Sequence, residues 1–315
     1  MKKIVYVTGC LGFIGYHVAL KCLKAGYYVI GVDNETYAAN LNLFENLSKF
    51  STFKYIKSDI NDLTRLYDCD YIINTAAETH VDNSIESSEI FIYSNVNGVY
   101  NLLELIRSKP KNKRPILLHF STDEVYGDIE VGSHTELDLL KPSNPYAASK
   151  AAADMLINAW GRTYDIPYII VRPTNNYGIG QYVEKFIPKA CKHLILGKKI
   201  LLHDKGMPRR TWLWVEDTAD AILTIINKNV VNEIYNISGN YEEQNIVVAR
   251  KILYNYFDET ISYESYLDTS EVRPGQDVRY SIDDSKLKSL GWQPKANFDL
   301  ELNNIVAWYK NNFIW

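Results

Sequence analysis

Hydrophobic positions in the first half of the chain fall into two alternating patterns. Short apolar runs at Lys3–Val7, Tyr28–Val32, Phe53–Lys57, Tyr71–Asn74, Ile116–Ser121 and Tyr168–Pro173 predict strands. Longer stretches at Gly12–Ala25, Ile90–Ser108 and Tyr146–Tyr164 carry helical patterns between them. Strand alternating with helix is the sequence form of βαβ units, so the expected fold class is α/β, a Rossmann-type doubly wound parallel sheet. Beyond about Asn175 the pattern is less regular, with Gly, Pro and Trp clusters, and predicts a smaller C-terminal lobe folded back over the carboxyl edge of the sheet. The expected division is residues 1–175 for the first unit and mainly 176–315 for the lobe, the two interleaved. Trp212, Trp214, Trp292, Trp308 and Trp315 read as packing residues of core and lobe.

Composition sets limits without choosing a function. The chain has 315 residues, 46% hydrophobic and 23% charged, enough for one large core and a lobe. A formal charge of -4 with no long basic run argues against a nucleic-acid partner, so an anionic ligand would need local Lys and Arg. The four cysteines, Cys10, Cys22, Cys69 and Cys191, have no Cys-x-x-Cys spacing, which predicts reduced thiols, no metal site and a cytoplasmic setting. The apolar run after Met1-Lys2-Lys3 stops at Thr8-Gly9, too short for a signal peptide, and no later segment has the length of a membrane span.

Candidate chemistry begins at Thr8-Gly9-Cys10-Leu11-Gly12-Phe13-Ile14-Gly15, which follows a predicted strand and opens a helix. Gly9, Gly12 and Gly15 would permit a tight turn and let backbone approach a pyrophosphate at the helix N-terminus; a purely geometric turn is the competing reading. Asp33 ends the second predicted strand, 18 residues after Gly15, where an acid binds adenosine ribose hydroxyls and repels a 2′-phosphate. The expected cofactor is therefore NAD rather than NADP. Asp59, after the third strand, reads equally as an adenine contact or a solvated loop acid.

The second constellation is Ser121-Thr122-Asp123-Glu124-Val125-Tyr126-Gly127, followed by Tyr146-Ala147-Ala148-Ser149-Lys150. On a helix Tyr146 and Lys150 lie one turn apart, so the ammonium would lower the phenol pKa and hold a nicotinamide ribose. Asp123 and Glu124 come just after a run that predicts a buried parallel strand, at the carboxyl end where open α/β sheets place ligands. Two carboxyl groups there suggest an acid and a base. A helix N-cap with a first-turn acid is the structural alternative.

With these motifs together, the chain resembles the extended short-chain dehydrogenase/reductases. Ala76-Ala77-Glu78-Thr79-His80-Val81-Asp82, the Thr122-Asp123-Glu124 segment, Asn175-Asn176-Tyr177-Gly178 with Glu184-Lys185-Phe186-Ile187-Pro188, Arg273-Pro274-Gly275-Gln276-Asp277-Val278-Arg279-Tyr280, and Leu290-Gly291-Trp292-Gln293-Pro294 resemble the dTDP-glucose 4,6-dehydratases essentially from end to end. The resemblance implies that Tyr146 takes the proton of the sugar C4 hydroxyl, that Lys150 holds the cofactor ribose and that Thr122 bonds the O4 region. It implies Glu124 as the base at C5 and a protonated Asp123 as the acid at the C6 hydroxyl. It further implies cofactor contacts from Phe13, Ile14, Asn34, Ile60, Ala76, Ala77, Ser94 and Asn176. Lys185, Arg210 and Arg273 would hold the substrate diphosphate, with Asn175 and Asn245 as hydrogen-bond partners, Leu201, Leu202 and His203 beside the base, and Thr79 and Phe186 completing the site. A homodimer through helices that include the Tyr146 helix is implied as well. His80 is expected to be structural or supporting.

Departures from the pattern bear on the substrate. Asn83 stands where the family carries Arg, Thr211 where it carries Asp, and Gln276 where it carries His. These leave open dTDP-glucose, UDP-glucose or UDP-N-acetylglucosamine, and a 5-epimerisation besides. The competing functions are an NAD-dependent nucleotide-sugar C4 epimerase, which would not need Asp123 or Glu124, and a non-enzymatic dinucleotide-binding protein.

Overall fold

The computed structural model describes residues 2–257, 262–275 and 277–312. Gln276 and Trp315 lie outside the described residues. In chain order the strands are β1 Ile4–Thr8, β2 Tyr28–Asp33, β3 Phe53–Lys57, β4 Tyr71–Asn74, β5 Ile116–Phe120 and β6 Tyr168–Pro173. They continue as β7 Asn175–Tyr177, β8 Ile200–Leu201, β9 Arg209–Trp214, β10 Glu233–Ile237, β11 Tyr241–Gln244 and β12 Leu267–Asp268. The main sheet has the order β10-β6-β5-β4-β1-β2-β3, with every neighbouring pair parallel. The order reverses between β1 and β4, which opens a crevice at the carboxyl ends of these strands. This is the Rossmann-type sheet that the alternating pattern predicts.

The central strands of this sheet, β1, β4 and β5, are largely apolar because helices cover both faces. Val5, Val7, Ile73 and Leu118 pack on one side with the Phe13–Lys24 and Val215–Lys228 helices. Tyr6, Ile72, Leu117 and Ile170 point to the other side, against the Gly98–Arg107 and Pro145–Tyr164 helices. Ile72, Ile73, Leu117 and Leu118 are all fully buried, so a polar substitution on either face would strand a group without a partner.

The helix predicted over Ile90–Ser108 is not one regular helix. A short turn at Glu89–Phe91 leads into a wider π-helical segment at Ile92–Asn97 before the α-helix Gly98–Arg107. The cause lies at Asn95, which is buried and bonds Glu78 N, Glu78 O and Ser149 Oγ, each at 2.9 Å. A π turn supplies the extra residue that aims this side chain inward, and such turns concentrate near functional sites.

The lobe holds the sheet β11-β9-β7 and the pair β12-β8. Its core joins Tyr177, Trp212, Phe298 and Tyr241, the last two rings stacked with centroids 4.1 Å apart. Trp214 and Trp308 are partly buried against this core. Trp292 instead belongs to the core under the main sheet, its indole donating to Asp217 O at 3.0 Å. The chain crosses between the two layers more than once, since β10 and the Val215–Lys228 helix lie in the main sheet unit yet follow β7 and β9 of the lobe.

Candidate active site

The glycine turn between β1 and the Phe13–Lys24 helix is shaped by close approach. Gly9 has φ +69°, and a Cβ there would sit 2.9 Å from the Ala76 backbone. At Gly15 a Cβ would meet Gly9 O at 2.0 Å. Beside this turn lies a cleft of about 630 Å³ lined by Gly9, Gly12, Asp33, Asn34, Asp59, Ile60, Ala76, Ala77 and Ser94 among others. A second cavity of about 1010 Å³ continues from it, lined by Phe13, Ile14, Gly15, Asn176, Thr122, Asp123, Glu124 and Tyr146. Asp33 closes the end of β2 with its carboxylate accepting from Leu11 N at 2.9 Å and Glu35 N at 2.8 Å. Asn34 donates to Asp59 Oδ2 at 2.8 Å, which fixes Asp59 on the cleft wall. A cradle that excludes any side chain, with an acid at the far strand end, fits a dinucleotide.

Thr122, Asp123 and Glu124 follow β5 directly. Thr122 caps the turn Asp123–Tyr126, its Oγ1 accepting from Glu124 N at 3.3 Å, so Asp123 is not the cap. Asp123 is 3% exposed, and its Oδ2 has no hydrogen-bond partner among the described residues. Burial, followed by the neighbouring Glu124 charge, pushes its carboxyl up to about 8. Glu124 faces the cavity and is also raised, by burial first, with the Arg210 charge opposing. Asp123 therefore keeps its proton at neutral pH, while the Arg210 charge favours the ionised form of Glu124 against the effect of burial.

Tyr146 enters from the Pro145–Tyr164 helix, which Asn144 caps by accepting from Ala147 N at 2.9 Å. The phenol is pushed up rather than down, by burial first and then by the Glu124 charge. Lys150 is itself 3% exposed, and burial pulls its ammonium down to about 8. Asp154, one turn further along the same helix, acts against that fall and also pairs with the buried Arg172 at 3.0 Å.

A third cavity of about 910 Å³ is lined by Thr79, Asn175, Lys185, Phe186, Leu201, His203, Arg210, Asn245 and Arg273, all expected from the sequence. It shares Thr79, Glu124, Asn175 and Lys185 with the cavity at Tyr146. Each expected cation is oriented by the protein. Lys185 Nζ donates to Thr79 O at 2.9 Å and Thr79 Oγ1 at 2.8 Å, the Arg210 guanidinium lies 4.4 Å above the Tyr280 ring, and Arg273 Nε lies 2.6 Å from Asp82 Oδ1. Four residues that the sequence reading did not assign join them. Asn144 and Tyr280 each approach Glu124 Oε2 at 3.4 Å, Tyr280 also bonds Asp277, and Glu184 pairs with Lys185 at 3.3 Å. His80 lines the same cavity and caps the Val81–Glu86 helix, accepting from Asn83 N at 3.4 Å. Among the described residues no cluster of His, Cys, Asp or Glu could hold a metal ion, and the four cysteines are free.

The family model described as GDP-mannose 4,6 dehydratase matches residues 6–304. The dTDP-glucose 4,6-dehydratase of Xanthomonas campestris is 39% identical over 328 residues, spanning 98% of this chain and 93% of that protein. The chain belongs to the nucleotide-sugar 4,6-dehydratases. Other members of this family include the dTDP-glucose 4,6-dehydratase of Haemophilus influenzae, 37% identical over 98% of both chains. A dTDP-glucose 4,6-dehydratase of Streptomyces venezuelae, solved with NAD bound, superposes with a TM-score of 0.91 at 34% identity, covering 98% of this chain and 97% of that one. A Bacillus cereus UDP-glucuronic acid 4-epimerase, 23% identical with a TM-score of 0.90, shares the fold.

Proposed function

We propose that this chain is an NAD-dependent hydro-lyase that converts a nucleotide-diphosphate hexose, dTDP-glucose in the first instance, into the 4-keto-6-deoxy sugar. The observation that carries the proposal is the carboxyl pair Asp123 and Glu124 lining the cavity that also holds Tyr146, with Asp123 buried and pushed up to about 8. A C4 epimerase has no use for such a pair.

In this reading Gly9, Gly12, Gly15 and Asp33 hold the dinucleotide, with Lys150 behind Tyr146. NAD, when bound, supplies the chemistry of hydride removal from C4 and its return to C6. Tyr146 would take the C4 hydroxyl proton as its phenolate, a form that burial and Glu124 oppose in the empty site and that the positive charge of bound NAD would favour, and Thr122 would support the oxygen there. Once C4 is a ketone the C5 proton is acidic. Glu124 removes it while Asp123 gives its proton to the departing C6 hydroxyl, so one water leaves and the charge balances. Glu124 then returns its proton to C5. Lys185, Arg210 and Arg273 grip the diphosphate, and residues 176–315 supply most of the substrate lobe.

Mass spectrometry of products formed without added reductant, from dTDP-glucose, UDP-glucose and UDP-N-acetylglucosamine in parallel, tests this. Loss of one water from dTDP-glucose is the expected result, whereas an isomer of unchanged mass would assign an epimerase. A UDP-glucose substrate is the second reading, favoured by 38% identity to an Arabidopsis thaliana trifunctional UDP-glucose 4,6-dehydratase, of which this chain spans 48%.

A homodimer is part of the proposal. Ile92, Tyr93, Tyr100 and Met155 are 41–51% exposed on the segment Ile92–Arg107 and the Pro145–Tyr164 helix, a surface suited to a second copy. Light scattering should give twice the chain mass at micromolar concentration, and a strict monomer would reject it. Among the described residues no helix is long and apolar enough to cross a membrane.

A further inference from the structure

The loop after β2 contributes Thr36, Ala38 and Ala39 to the cleft beside the glycine turn, while Tyr37 points away from that wall. Its hydroxyl lies 3.1 Å from Glu184 Oε2 and 3.3 Å from Glu78 Oε2. Asn83, where the family carries Arg, donates to the same hydroxyl oxygen at 3.5 Å. The Tyr37 ring also meets Tyr182 edge to face, with centroids 5.5 Å apart. Tyr182 and Glu184 belong to the segment before the Phe186–Ile195 helix and line the cavity at Tyr146 together with Ala38. Glu78 is anchored from below, its backbone N and O both bonded to Asn95.

A phenol has one proton, so it can donate to only one of two carboxylates at a time. Burial raises Glu78, and the Glu184 charge adds to this. The Tyr37 hydroxyl donates to Glu184 or to Glu78, and Asn83 Nδ2 donates to its oxygen, so one hydroxyl gathers three side chains. These contacts tie the loop after β2 to Glu78, just past β4, and to the segment before the Phe186–Ile195 helix.

We infer that Tyr37 is a positioning residue, a latch that holds the loop after β2 to the Tyr182–Glu184 segment and so retains the dinucleotide between the two half-reactions. The inference rests on the dinucleotide reading given above. Retention matters because the hydride removed from C4 must return to C6 of the same sugar, and cofactor lost midway would strand a ketone.

The test is the dissociation rate of NAD from the purified full-length protein, followed by displacement with a fluorescent etheno-NAD. Tyr37→Phe, which keeps the ring on Tyr182 and removes only the hydroxyl, should release NAD about tenfold faster, as expected for one lost hydrogen bond to a charged group, with an unchanged thermal midpoint. Glu184→Gln should release it faster as well, and the double variant no faster than Tyr37→Phe alone, because both break one link. An unchanged rate in Tyr37→Phe, or additive rates in the double variant, would overturn the latch. A parent protein that binds no NAD would overturn the cofactor reading along with it, which separates the two failures.

Discussion

Replacing Glu124 by Gln is expected to lower formation of the dehydrated product by about 10²- to 10⁴-fold, the usual range for a positioned general base. The amide keeps the shape of the side chain and the approach of Asn144 and Tyr280, so folding should be spared. It cannot accept the C5 proton. The pH profile of kcat/KM in the parent should show why. Turnover needs Glu124 ionised and Asp123 protonated, so it should rise through a limb set above the ordinary carboxylate range and fall through a second limb near pH 8. The sign follows from the acid, whose proton is present below about 8 and lost above it. These limbs belong to the coupled pair rather than to either residue alone. Water loss measured by mass spectrometry and the rate profile together check the assignment, and a Glu124→Gln enzyme with parental turnover would sink it.

Gly15→Ala is expected to abolish NAD binding and to destabilise the protein by roughly 1–3 kcal/mol or more. The added methyl would lie 2.0 Å from Gly9 O and 2.5 Å from Thr75 Oγ1. The first of these is backbone, in the turn itself, and cannot rotate aside. Relief requires the helix start to move away from Gly9, which distorts the cradle that faces the cleft. Urea unfolding would read the stability loss, and titration with NAD the lost site. A Gly12→Ala variant makes a graded comparison, since its methyl would sit 3.2 Å from Gly9 O and demands only a small shift.

Much of the fold was legible because a parallel sheet covered on both faces leaves continuous apolar runs. The six strands expected in the first 175 residues are all present, with ends displaced by no more than a residue. The break in the Ile90–Ser108 stretch was not legible. Nothing in a helical pattern announces that Asn95 turns inward to hold Glu78 and Ser149. The seventh strand was missed for a similar reason, since Glu233–Ile237 joins the sheet from the irregular part of the chain.

In the site, residues carried on one contiguous segment were the easiest to read. Thr122, Asp123 and Glu124 announce themselves side by side. Asn144 and Tyr280 do not, because they reach Glu124 across 20 and 156 positions of sequence. The burial of the Tyr146 phenol was not legible in the sequence. Spacing shows that Lys150 is one turn away, but not that both groups are dehydrated and that Glu124 lies close enough to oppose ionisation.

The position of β10 also bears on how the chain comes off the ribosome. When residue 175 has emerged, β6 is an open edge of the sheet, with its outer backbone groups unpaired. Its partner, Glu233–Ile237, is made only after β7, β8 and β9 of the lobe. The seven-stranded sheet therefore stays one strand short until the chain has been made through the first strands of the lobe.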